Sequence, residues 1–151
     1  MTSTAPTTAP AADARSLGLA HYAARGVQEH VLARHGATFQ QQIALRAAVT
    51  ADAPLTPDEL VAEVRASLKT GPAAVHATIG ELLDGGLLVE DGAHLRPTDA
   101  GRELIAVVGA ETAPLSARIW SGIPAEDLAA AGRVLALVRQ RADAELAALA
   151  D

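Results

Sequence analysis

The sequence predicts a mainly α-helical fold that carries one small β-hairpin, and three observations predict it. Half of the 151 residues are apolar, yet the aromatics are only Tyr22, Phe39 and Trp120, so Ala, Leu and Val must build the core. Ala is the strongest helix former, and Leu and Val fill helical seams. Apolar residues also recur at steps of three and four over most of the chain, the period of a helix buried along one face. Finally, Asp91-Gly92 sits between two short strand-like runs, a favoured two-residue hairpin turn.

The elements follow in order. Residues 1–14, MTSTAPTTAPAADA, have no basic start and no apolar run, so they predict a disordered Thr/Ala/Pro tail and not a secretory signal. From Arg15 to His35, the residues Leu17, Ala20, Ala24, Val27 and Val31 form one stripe, and Gly36 is placed to end that helix. Thr38 caps a second helix, Phe39 to about Val49, with Ile43, Ala44, Ala47 and Ala48 on one side. Ala51 to Leu55 is a short connection. Thr56-Pro57-Asp58-Glu59 unites a Thr N-cap, Pro at the first helical position and Glu two residues later, a capping box. The third helix turns Leu60, Val61, Val64 and Leu68 inward.

Lys69-Thr70-Gly71 makes a turn, and Pro72 opens a fourth helix with Val75, Ile79, Leu82 and Leu83 inside, stopped by Asp84-Gly85-Gly86. Leu87 to Glu90 and Ala93 to Arg96 are the strands around Asp91-Gly92. Thr98 caps a fifth helix through Leu104, Ile105 and Val108, in which Pro114 predicts a kink or break. Ser121-Gly122 and Pro124 mark a boundary. The last helix runs from about Ala125, with Leu128, Ala131, Leu135, Val138, Ala142 and Leu149 along one seam. That seam suits a partner helix or packing within one chain.

Composition narrows the function. With no cysteine, disulfides, thiolate metal sites and cysteine redox switches are excluded, as befits a cytoplasmic protein. No apolar run is long enough to span a bilayer, so no membrane partner is expected. No nucleophile elbow, phosphate loop, metalloprotease motif or dinucleotide fingerprint occurs, so no cofactor is expected. Nor is a metal: His30 and His35 are five apart, His21 is further still, and none has a spaced carboxylate partner.

The middle of the chain carries the most specific pattern. Leu60, Val64 and Leu68 can meet Val75, Ile79 and Leu82, which holds two short helices at a steep angle. Ala73, Ala74, His76, Ala77 and Thr78 are then left on the early outer face of the second helix, where a DNA reader contacts base edges. Lys69, Thr70 and the free N–H groups near Pro72 could hold a phosphate. The following hairpin, with His94 and Arg96, would be a wing. The same helices and hairpin could also pack as a plain small domain.

With its flanks included, the segment LTPDELVAEVRASLKTGPAAVHATIGELLDGGLLVEDGAHLRPTDAGREL resembles the winged helix-turn-helix core of MarR-family regulators. The matching pieces are Leu55-Thr56-Pro57, Glu59-Leu60, the Leu82 to Leu88 exit and Thr98-Asp99-Ala100-Gly101. Two helices before them and Ile123-Pro124-Ala125-Glu126-Asp127-Leu128 after them agree. The resemblance covers residues 15 to 149 and implies one domain over 15–151. Its winged helix would span about 37–98, between dimerisation helices at about 15–36 and 98–150. It also implies a homodimer binding a pseudo-palindromic operator in double-stranded DNA, modulated by a small aromatic effector.

The chain departs from that pattern in charge. The family's wing is commonly longer and basic at its tip, whereas here it is Glu90-Asp91-Gly92-Ala93-His94, with Arg96 beyond. Between Thr56 and Thr98, Arg65, Lys69 and Arg96 stand against Asp58, Glu59, Glu63, Glu81, Asp84, Glu90 and Asp91, a net of −4. Each missing cation weakens phosphate binding, and the reading face offers no Arg for guanine. His21, Tyr22, Arg25 and Trp120 suit an aromatic-acid pocket between dimer helices and winged lobes, unless Trp120 is simply a core anchor beside Ile119. A scaffold that had lost operator binding could use such a pocket for ligand binding, or His21, Tyr22 and Arg25 for acid–base catalysis. A regulator acting through a protein partner is the third reading.

Overall fold

The computed structural model describes residues 10–150, which form six helices and one hairpin. These are α1 (Ala14–Arg34), α2 (Phe39–Thr50), α3 (Pro57–Leu68), α4 (Pro72–Asp84), β1 (Leu88–Asp91), β2 (His94–Pro97), α5 (Asp99–Trp120) and α6 (Ala125–Leu149).

The starts of the first three helices are closed by their own side chains. At α1, Asp13 Oδ1 accepts from Ser16 N at 2.7 Å while Ser16 Oγ accepts from Asp13 N at 2.8 Å. These bonds from Ser16 hold the Asp13 carboxyl below the usual carboxylate range. The helix thus begins within the stretch expected to be a tail; residues 1–9 of that stretch lie outside the described residues. Thr38 and Gln41 form the same reciprocal box on α2, and Thr56 and Glu59 on α3. Thr56→Ala therefore removes one acceptor from the start of α3, and urea unfolding should show a loss of about 1 kcal/mol. In contrast, α4 starts at Gly71-Pro72 with no side-chain cap.

Glycines and one lysine end these helices. Gly36 follows α1 at φ 67°, Lys69 ends α3 at φ 54° and Gly86 follows α4 at φ 69°, all left-handed. The central core joins Ala44 and Leu45 of α2, Leu60 and Val64 of α3, Val75, Ile79 and Leu82 of α4, and Leu88 and Leu95 of the hairpin. As the apolar spacing predicts, α3 and α4 meet through these inner residues.

The hairpin differs from expectation by one residue. Asp91 pairs with His94, so the two turn residues are Gly92 and Ala93, with Gly92 at φ 61°. A turn with Gly alone at positive φ in its first central position is a II′ turn. The connection before α3 also takes part: Leu95 N donates to Leu55 O at 2.7 Å, adding a one-residue bridge to the ribbon.

The chain divides into two compact units, residues 1–113 and 114–151, with the boundary inside α5. Pro114 does not end that helix, which continues to Trp120. In the first unit Thr98 ties the start of α5 to the exit of α4. Its hydroxyl donates to Gly86 O at 2.7 Å and accepts from Gly101 N at 3.1 Å. In the second unit α6 has no buried residue, and its seam stays open, with Leu135 45 % and Val138 42 % exposed.

Candidate nucleic-acid interface

The start of α4 is the site's centre. Pro72 brings no N–H, Gly71 brings no side chain, and no acid lies in the first turn, so the helix presents open backbone donors and a partial positive charge. Ala73, Ala74, His76 and Ala77 are exposed along the outer face, and the His76 side chain makes no hydrogen bond or ion pair among the described residues. Thr78 departs from the expected outer face. It is buried, and its hydroxyl donates back to Ala74 O at 3.1 Å. A threonine can satisfy its hydroxyl within the helix, so its place on the wheel, between Val75 and Leu82, decides its burial.

Two cations near α4, Arg65 and Arg96, are engaged by their own lobe. Arg65 Nε donates to Thr70 O at 3.2 Å, and Arg96 Nε lies 3.1 Å from Asp91 Oδ2. Lys69 is exposed at its left-handed position, and Thr70 is half-buried beside it. His94 is exposed at the tip of the wing, across from Asp91.

Of the expected ligand residues, His21, Tyr22 and Arg25 lie on α1 of the first unit, and Arg25 borders a cavity there. Arg25 lies with its guanidinium 4.5 Å from the Phe39 ring centroid, and its Nε is 2.9 Å from Glu29 Oε1. It opens on a cavity of about 210 Å³ walled by Phe39, Val64, Leu68, Thr70, Ala74 and Thr78. Sequence reading missed Phe39 as this wall, although a lone Phe in an Ala- and Leu-built core was the available signal. His21 and Tyr22 are exposed on α1, with ring centroids 5.7 Å apart. Trp120 belongs to the second unit and is 56 % exposed, which excludes its being a core anchor.

Two further histidine placements complete the unit. His30 is exposed, whereas His35 Nε2 lies 3.0 Å from Glu111 Oε1 and Arg34 Nη2 lies 3.4 Å from Glu111 Oε2. These two residues thereby bind the end of α1 to α5. A larger hollow of about 600 Å³ is lined by Gln41, Glu81, Glu103 and Leu104 together with His35. Its carboxylates make it the wrong place for an acidic ligand, so the Arg25 cavity is the better fit.

No family model matches the chain, and no curated protein matches it. Solved structures do. A Staphylococcus aureus MarR in complex with salicylate and kanamycin is similar at TM-score 0.70 and 18 % identity, over 83 % of this chain and 87 % of that one. A MarR-family transcriptional regulator from Streptomyces coelicolor is similar at 0.69 and 21 %, over 85 % and 91 %. A Mycobacterium tuberculosis MarR-family protein in complex with DNA is similar at 0.63 and 21 %, over 85 % and 98 %. The likeness is one of fold, and the fold of this chain is the winged helix-turn-helix of the MarR-family transcriptional regulators.

Proposed function

We propose that the chain is a transcriptional regulator that binds a pseudo-palindromic operator as a homodimer and answers to a small aromatic acid. The carrying observation is that one helix borders both the exposed face and the cavity. Ala74 stands on the exposed face of α4 and also on the wall of the Arg25 cavity, beside Thr70 and Thr78. A ligand filling the cavity would press on the helix that reads DNA, and such a ligand can shift α4 only by binding one of its positions better. A guanidinium beside an aromatic ring suits a carboxylate on a flat ring. The likeness to structures holding DNA or salicylate supports both halves.

A second copy would cover the apolar residues left open. Leu17, Leu19 and Tyr22 are exposed in the first unit, and Ile119, Val134, Leu135 and Val138 in the second. Acting on DNA, the protein would work in the cytoplasm. No helix among the described residues is long and apolar enough to cross a membrane.

One observation favours a second reading, a scaffold that keeps the ligand site and has lost the operator. The lobe from 56 to 98 carries −4, and its Arg65 and Arg96 are already engaged. Selection from a pool of genomic duplexes at low salt separates the two. The regulator should enrich an inverted repeat, with affinity falling as salt rises. Salicylate as probe should raise the thermal midpoint, and Arg25→Ala should weaken that binding about tenfold or more, the loss of a charge-assisted bond. Ligand stabilisation with no enriched duplex would establish the scaffold, and neither response would overturn both readings.

A further inference from the structure

We infer that operator binding by this chain is strengthened by acidification, through His76 on α4 and His94 on the wing. The inference rests on the operator-binding reading above and adds its regulation. Both elements that would touch DNA carry an exposed histidine, and neither side chain makes a hydrogen bond or ion pair among the described residues. Histidine is the side chain whose ordinary titration falls between about pH 5 and 8.

The charges around them make that change count. The elements packed on α4 are α2, α3 and β1. Together with α4 itself they hold Asp58, Glu59, Glu63, Glu81, Asp84, Glu90 and Asp91 against Arg46 and Arg65, with Lys69 at the end of α3. β2 packs on β1 and α2, whose charged residues are Glu90, Asp91 and Arg46, and β2 itself carries Arg96. Asp91 is His94's direct cross-strand partner and already holds Arg96. A protonated His94 would give Asp91 a second cation and leave Arg96 freer to meet a phosphate.

The sign follows directly. Protonating both residues takes the lobe from −4 to −2, and a dimer gains four positive charges on its DNA face. Each protonated imidazole that replaces a counterion on the backbone tightens binding and steepens its salt dependence. Binding is then coupled to proton uptake, and affinity must rise as pH falls through the histidine range. The other histidines of the first unit do not share this position: His21 and His30 are on α1, and His35 is engaged with Glu111.

The test uses the full chain and the duplex enriched from the genomic pool, at fixed ionic strength. The readout for each protein is the ratio of its dissociation constants at about pH 8 and pH 6, so a loss common to both conditions cancels. The wild type should bind about tenfold or more tightly at the lower pH, with a steeper salt slope. The double variant His76→Gln with His94→Gln should bring the ratio to within about twofold, while His35→Gln keeps it. Circular dichroism at both values confirms that each variant is folded. A flat wild-type ratio, or a double variant that keeps the pH dependence, overturns the inference while leaving the operator reading standing. Failure to enrich any duplex at either pH overturns both.

Discussion

Gly101→Ala should destabilise the fold by about 2–3 kcal/mol, the upper range for forcing a methyl into a filled site. A Cβ at this position would overlap the Leu87 carbonyl oxygen and stand 3.1 Å from Leu45 Cδ1. Neither neighbour has room to give. The Leu87 carbonyl accepts from Thr98 N, and Leu45 is fully buried at the centre of α2. The added methyl must push the start of α5 away from the exit of α4 and break the Thr98 contacts. Gly109→Ala is the matched control on the same helix. Nothing lies within 4 Å of its Cβ position, so it should stabilise by about 0.5–1 kcal/mol through helix propensity alone. Urea midpoints at one fixed protein concentration measure both, and two shifts of the same sign would contradict the packing described here.

The second large effect concerns assembly. Leu135→Glu with Val138→Glu should convert the proposed dimer into a monomer without loss of helix content. Both side chains are nearly half exposed on a helix that has no buried residue. In a two-fold dimer each change is felt twice. If each half-open side chain contributes about 1 kcal/mol on burial, the four together weaken association about a thousandfold. Sedimentation velocity across a dilution series reads this directly. An unchanged sedimentation coefficient would place the partner face elsewhere.

Much of the winged lobe was legible because its signals are local. The Thr56 to Glu59 box, Pro72, the Gly85-Gly86 stop and the inner stripes of α3 and α4 each follow from a few adjacent residues. What escaped depends on residues far apart. Arg25 and Phe39 stack across fourteen positions, and the Leu55 bridge to Leu95 crosses forty. The hairpin register moved by one residue, although Gly92 supplies the positive φ in either register. Thr78 reads as polar and therefore outward, until the hydroxyl finds Ala74 O within its own helix. The seam of α6 was visible too, but a stripe reports that a face wants covering, not what covers it. The candidate face was legible in shape through Pro72 and the exposed alanines. The engagement of Arg65 and Arg96 by their own lobe was not, because a count of charges says nothing of their partners.

The uncapped start of α4 has a consequence for how the lobe breathes. The three helices before it, α1, α2 and α3, each close their first turn with a reciprocal side-chain box, while α4 leaves those amides to solvent. Amides at such an end open with little free energy, so the first turn of α4 should exchange its hydrogens faster than that of α2 or α3. A phosphate seated there would supply the missing acceptor and slow that exchange. The turn proposed to meet DNA would then also be the one whose order waits on the anion, and inorganic phosphate in the buffer would begin to mimic the proposed operator.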